Sequence, residues 1–188
     1  MQTTMSPNEY STLGSFMKKA KTYVEWGCGD STVLAASVDV PNIISTDSSL
    51  NWIEKTKHRC EEYKYQPKFI HIDIGKLGKW GTPIDESKKD YWPRYCTYVW
   101  QDHRSINADL YLIDGRFRVA CFAQIYRYCT GNSIIAVHDF ASRQKHYSVI
   151  HEIGREIFSI EDLSFFVVQR HKLDLAYKIL REYQYDYK

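Results

Sequence analysis

The stretch Tyr23-Val24-Glu25-Trp26-Gly27-Cys28-Gly29-Asp30-Ser31-Thr32 constrains the fold more than any other part of the chain. A short β-prone run closes on an acid, two glycines spaced by one residue follow, and a Ser/Thr helix start comes next. That order reads as strand, tight turn, helix, the ligand-holding corner of an α/β sheet. What such a corner can hold depends on which side chains border it.

The rest of the chain repeats the rhythm. A helix is predicted over 6–19, where Ser6, Pro7 and Glu9 form a capping-box start and Leu13, Phe16, Met17 and Ala20 share a face. Strands are predicted at 22–26, 42–46, 68–72, 109–113, 133–137 and 163–169. Helices are expected at 31–38, 50–63, 117–129, 142–158 and 173–183. The stripes carrying Phe16 and Trp52 read as core. Strands alternating with helices imply an α/β, Rossmann-like architecture, a mainly parallel central sheet with helices on both faces. The rhythm breaks at about 75–107, an insertion with Gly, Pro, Trp and charges but no long period. Segments of that length are often functional. Trp80, Tyr91, Trp92, Tyr95 and Trp100 make it aromatic, as a lid or as anchors to the core, and short helices are expected around 94–102.

Composition narrows the function. At 188 residues the chain suits one domain, 1–188, with a single sizeable core. A net charge of +2, with no basic stripe, argues against nucleic acid as a partner. No apolar run approaches the ~18 residues of a membrane span, and the polar stretch 1–8 lacks a signal-peptide core. Five cysteines (Cys28, Cys60, Cys96, Cys121 and Cys129) contain no Cys-x-x-Cys pair, which suits free thiols in the cytoplasm. Cys28 reads as a small residue where backbone meets ligand rather than as a nucleophile.

The acids decide what the corner binds. Strands end at Glu25, Asp47, Asp73 and Asp114, and the fifth at His138-Asp139. Ligands of open α/β sheets bind outside the carboxyl ends of strands, so these residues should line one crevice. A dinucleotide fingerprint needs a third glycine, but Thr32 stands there, and Glu25 would repel a pyrophosphate. A nicotinamide-dependent oxidoreductase is disfavoured on both counts. A cationic adenosine cofactor, S-adenosylmethionine, suits the acid better. Asp47, 22 residues after Glu25, is placed to accept both ribose hydroxyls, and Asp73 the adenine amino group, with Ile74 against the ring.

Here the chain resembles the class I S-adenosylmethionine-dependent methyltransferases. Glu25-x-Gly27-x-Gly29 looks like their first motif, Asp47 their ribose acid, Asp73 their adenine-side acid and Asp114 their position after strand four. Glu-Trp-Gly-Cys-Gly-Asp-Ser-Thr (25–32), Asp-Ile-Gly (73–75), Trp-Gly-x-Pro (80–83) and above all Leu-Ile-Asp-Gly-Arg-Phe-Arg-Val-Ala-Cys (112–121) are similar to a small group of methyltransferase-like proteins of unassigned substrate. Glycine is expected in that group where this chain has Asp30.

The resemblance implies cofactor contacts from Glu25, Gly27, Cys28, Gly29, Ser31, Thr32, Asp47, Ser48, Asp73, Ile74 and Asp114. It implies methyl transfer but does not supply the acceptor; the acid-ended strands and the glycine turn lead us to expect a small-molecule or sugar-like one. Asp114, His138 and Asp139 are the base candidates, His138 having the suitable intrinsic pKa. Asp114 can also hold the cofactor's methionine end. The same three residues offer ligand types for a divalent ion, as in cation-dependent O-methyltransferases, but two acids and a histidine are a thin basis and no metal is expected. Arg116 reads as a clamp for a substrate carboxylate or phosphate and Arg118 as a structural ion pair. No signature such as Asn-Pro-Pro-Tyr is present, so a non-catalytic cofactor-binding sensor or partner subunit is the alternative.

Overall fold

Ser6 opens the first helix as the capping box requires. Its Oγ accepts the Glu9 N–H, and Glu9 Oε2 accepts the Ser6 N–H at 2.7 Å. The computed structural model describes residues 5–129 and 131–188; residues 1–4, half of the polar N-terminal stretch, lie outside it. The chain then runs α1 (Pro7–Met17), β1 (Thr22–Trp26), α2 (Asp30–Ser37), β2 (Asn42–Asp47), α3 (Leu50–Cys60) and β3 (Lys68–His71). After the insertion come β4 (Leu110–Ile113), α5 (Arg118–Tyr128) and β5 (Ile134–Val137). The short helix α6 (Gln144–Tyr147), the hairpin β6 (Gly154–Ile160) and β7 (Leu163–Val168), and α7 (Leu173–Tyr183) complete the chain; α4 (Arg94–Thr97) lies inside the insertion.

The strands form a sheet of seven in the order β3-β2-β1-β4-β5-β7-β6. β3 to β5 are parallel, whereas β7 runs antiparallel to β5 and β6 antiparallel to β7. Side-chain alternation divides the core between two faces. Tyr23, Leu110 and Leu112 pack with Leu13 and Met17 of α1 and Ala35 and Ala36 of α2. Val24, Trp26, Tyr111 and Ile113 pack on the other face with the insertion, α5 and α7. The chain reverses direction across the sheet between β1 and β4, and there the carboxyl ends of the strands open a crevice.

The insertion is mostly anchored. Trp92, Tyr95 and Trp100 are buried, while Trp80 and Tyr91 are exposed. Trp26 Nε1–H donates to the Tyr95 carbonyl at 3.0 Å and Trp92 Nε1–H to the Ile74 carbonyl at 2.9 Å. The expected short helices are α4 and a 3-10 turn, Tyr98–Gln101. Residues 76–84 form a small hairpin, with Gly78 N–H donating to Thr82 and Ile84 N–H to Lys76. Trp80 stands at its tip.

One expectation is corrected. The helix read over 142–158 stops at Tyr147, a 3-10 turn follows over Ser148–Glu152, and β6 begins at Gly154. A Cβ on Gly154 would stand 2.5 Å from Phe122 Cζ, so only glycine lets the chain pass this close to α5 where β6 begins. Ile160 pairs with Leu163, leaving Glu161-Asp162 as a two-residue turn with Glu161 at φ 51°. Tight hairpins need a positive φ there. Among the described residues the sheet therefore has seven strands rather than six. All five cysteines are free thiols. Among the described residues no helix is long and apolar enough to cross a membrane.

Candidate active site

Two turns meet at the centre of the crevice. β1 ends in Gly27, whose φ is 96°, and β4 ends in Asp114-Gly115. A Cβ on Gly27 would lie 2.7 Å from the Gly115 nitrogen, and one on Gly115 would lie 2.1 Å from Tyr95 Oη. Only glycine allows this contact. Around it lies a cleft of about 620 Å³. One wall comes from the glycine turn and the end of β2: Gly27 to Ser31, then Asp47, Ser48 and Ser49, with Trp52 behind. The other comes from the loops after β4 and β5: Asp114, Gly115, Arg116, Arg118, Asp139 and Arg143. Trp80, at the hairpin tip, and Tyr95 also border it.

The β2 wall is built by hydrogen bonds. Asp47 Oδ2 accepts the Cys28 N–H at 3.0 Å and Oδ1 accepts the Ser49 N–H at 2.7 Å. Ser49 caps α3 by accepting the Trp52 N–H. That sets Trp52 in the first turn, and its indole N–H donates to the Cys28 carbonyl. Both the N–H and the carbonyl of Cys28 are thereby fixed. Burial pushes the Cys28 thiol up, and the Asp47 charge adds to the shift; a thiol so held is a poor nucleophile. Asp30, the departure from the expected glycine, pairs with Arg59 of α3 at 2.6 Å.

The β4–β5 wall is an ionic cluster. Arg118 is fully buried and donates to the carbonyls of Asp114, Gly115 and His138. It also pairs with the carboxylates of Asp114 at 3.2 Å and Asp139 at 2.8 Å. His138 Nδ1 lies 2.9 Å from Asp114 Oδ1, and its Nε2 faces Glu9 Oε2 at 3.7 Å. Burial alone would lower the His138 pKa, but its hydrogen bond to Asp114 and the neighbouring carboxylates raise it. For Asp114, burial acts upward and is outweighed by the His138 hydrogen bond and the Arg118 charge, so its carboxyl lies below the usual range. Ligand atoms of Asp114, His138 and Asp139 lie within 4.8 Å of one another. The donor set does not fit a divalent ion: Arg118 already pairs with both carboxylates, and His138 turns Nδ1 towards Asp114.

No family model matches the sequence, and no curated protein matches it. Solved structures do match. A methyltransferase-like protein from Silicibacter pomeroyi is 26% identical, with a TM-score of 0.80 over 95% of this chain and 96% of its own. This chain has a class I methyltransferase fold. Cofactor-bound Rv0187 from MTB shares that fold at 11% identity, with a TM-score of 0.62 over 89% of this chain and 83% of its own.

Within the methyltransferase fold, the cleft gathers Gly27, Cys28, Gly29, Ser31, Asp47, Ser48, Asp114, Arg116 and Asp139 of the residues read from sequence. Five others do not line it. Glu25 is fully buried on the α2 face and accepts from Tyr23 Oη, Ser31 Oγ and Thr32 Oγ1. Thr32 is buried with it and accepts the Gly29 N–H at 2.9 Å. Asp73 is exposed and pairs with Lys88, while Ile74 is core. His138 lies behind Asp114.

Sequence reasoning did not find Trp52 and Arg143 as cleft residues. For Trp52, read as core, the available signal was the Ser49–Trp52 cap spacing, which turns a side chain in the first helical turn back towards the preceding strand. Arg143 was hidden by the helix read over 142–158.

Proposed function

We propose that this protein is an S-adenosylmethionine-dependent methyltransferase acting on a small-molecule acceptor. The observation that carries the reading is the Asp47 carboxylate, which holds the Cys28 N–H of the glycine turn and lines the cleft beside it. Among the described residues no lysine or arginine lines that wall; the cleft arginines Arg116, Arg118 and Arg143 stand on the other, after β4 and β5. A pyrophosphate would find the Asp47 carboxylate and no cation beside the turn, whereas ribose hydroxyls find an acceptor.

Gly27, Cys28, Gly29 and Ser31 would border the cofactor, Asp47 and Ser48 its ribose, and Trp52 and Trp80 its flanks. Glu25 and Thr32 would act through the turn they hold. S-adenosylmethionine, when bound, supplies a methyl carbon already activated by its sulfonium. The chain's part is alignment and, for a hydroxyl acceptor, proton removal. Asp114, kept charged by His138 and Arg118, suits the ammonium of the methionine end. That leaves Asp139 as the cleft carboxylate that takes the acceptor's proton. His138 is a positioning residue behind Asp114.

Calorimetry with S-adenosylmethionine and S-adenosylhomocysteine tests the reading. Binding in the micromolar range is expected, and no heat at millimolar ligand would overturn it.

A further inference from the structure

Arg116 lies in the turn after β4 and lines the cleft, yet its guanidinium has no hydrogen bond or ion pair among the described residues. Its Nε is buried without a partner. Every other arginine of the cleft is paired: Arg118 with Asp114 and Asp139, and Arg143 with Asp139 at 3.1 Å. Tyr147 Oη, among the groups interacting electrostatically with Arg116, is likewise buried with no partner. Orphaned buried polar atoms are uncommon in folded proteins, and each calls for an explanation. The backbone that presents these groups is itself constrained. Phe117 has φ 55° and Asp139 φ 57°, the left-handed region that non-glycine residues seldom enter and that concentrates at functional sites.

Charge explains the orphan. Three arginines converge on one wall, where two carboxylates answer them, and one of these, Asp114, also takes His138. Burial lowers the Arg116 pKa, and repulsion from Arg118 and Arg143 lowers it further. Among the groups that line this wall, the three arginines exceed the two carboxylates by one, while His138 behind them also faces Glu9. The ammonium and carboxylate of the cofactor's methionine end cancel, its sulfonium adds a positive charge, and the surplus stays in place. A separate oxyanion removes it.

We propose that the acceptor carries an oxyanion, a carboxylate or a phosphate ester, which Arg116 grips with Arg143 at its side. Arginine suits both anions because its planar fork donates two parallel hydrogen bonds. The position agrees: both arginines follow β4 and β5, on the wall of the cleft opposite Asp47, where the proposed cofactor ribose leaves room. This inference rests on the methyltransferase reading and names the acceptor's chemical class.

The test titrates inorganic phosphate, and separately oxalate, into protein saturated with S-adenosylhomocysteine. Wild type is compared with R116M and R143M, after melting curves confirm that each is folded. Either anion should bind the loaded wild type and bind R116M about tenfold or more weakly, the scale of a lost hydrogen bond between charged groups. R143M, changed at a half-exposed site, should weaken the anion about threefold or more. S-adenosylhomocysteine itself should bind R116M within about threefold of wild type.

If R116M instead loses S-adenosylhomocysteine about tenfold while 5′-methylthioadenosine, which lacks the carboxylate, binds as before, Arg116 holds the cofactor and the proposal falls. It falls equally if neither anion binds the loaded wild type. If wild type binds no S-adenosylhomocysteine, the methyltransferase reading fails, and the acceptor assignment fails with it.

Discussion

Glu25 shows how a residue can be recognised correctly as part of a motif and still do something other than touch a ligand. Alternation along β1 sends Tyr23 and Glu25 to the α2 face and Val24 and Trp26 to the other. The acid therefore lies under the turn, where three hydroxyl donors satisfy it. Asp47, the last residue of its strand, faces the cleft and also holds the turn, its two oxygens accepting the Cys28 and Ser49 N–H groups separately. D47N keeps a single acceptor oxygen, so one of those two backbone bonds is lost. It should weaken S-adenosylhomocysteine about tenfold, by losing charge-assisted bonds to the ribose, and lower the melting temperature, the unpaired N–H costing about 1–3 kcal/mol. Calorimetry and a thermal melt on the same sample read both quantities. For Gly115 the expectation concerns stability. In G115A a methyl group would run into Tyr95 Oη and the Gly27 backbone, so destabilisation of about 1–3 kcal/mol is expected from overpacking. Chemical denaturation measures it directly.

At the scale of elements, hydrophobic period and cap chemistry made the parallel half of the sheet readable. β1 to β5 fall where alternation and strand-end acids put them, and α1 begins at the Ser6 box. The hairpin of β6 and β7 was only half readable. Leu163 to Val168 is β-branched and aromatic, but Gly154–Ile160 mixes charge with apolar residues, and a bulge between Glu156 and Phe158 breaks its alternation. A pattern of that kind resembles a helix until its partner strand is known. The insertion was legible as a departure from rhythm and not as a shape, because its tryptophans look alike in sequence. Trp92 and Trp100 are core, whereas Trp80 is 68% exposed on a hairpin that brings Gly81 against Ser48. Placed there, Trp80 can cover a ligand lying along Asp47 and Ser48. W80A should therefore leave stability nearly unchanged, since little is buried, and weaken S-adenosylhomocysteine several-fold, about 1 kcal/mol for one stacking partner. Quenching of indole fluorescence on ligand addition, present in wild type and reduced in the variant, reports the contact.

Across the whole molecule, the candidate site was legible where a strand's end dictates direction and illegible where a loop does. Asp47 and Asp114 follow their strands into the crevice, while Asp73, two residues beyond β3, turns out to Lys88. The two most specific motifs, 25–32 and 112–121, are the turns that touch at Gly27 and Gly115. Their contact joins the two halves of the sheet. A second joint is polar and spans the chain from end to end. Glu9 of α1 faces His138 after β5 and also accepts the Asp162 N–H from the turn between β6 and β7 at 2.8 Å. His138 is further faced by Asp114, Asp139 and Asp162 and opposed by Arg118. Its folded pKa is raised above the ordinary 6.5. A raised pKa means that the folded state binds the proton more tightly than the unfolded chain, so this contribution is fully present below pH 6.5 and is lost as pH rises through the folded value. Wild-type stability should accordingly fall across that interval. H138Q should be less stable than wild type at low pH and should show a flatter profile, the two curves converging as pH rises. Urea midpoints collected from pH 5.5 upward would decide it, and an unchanged slope in H138Q would assign the pH dependence to another group.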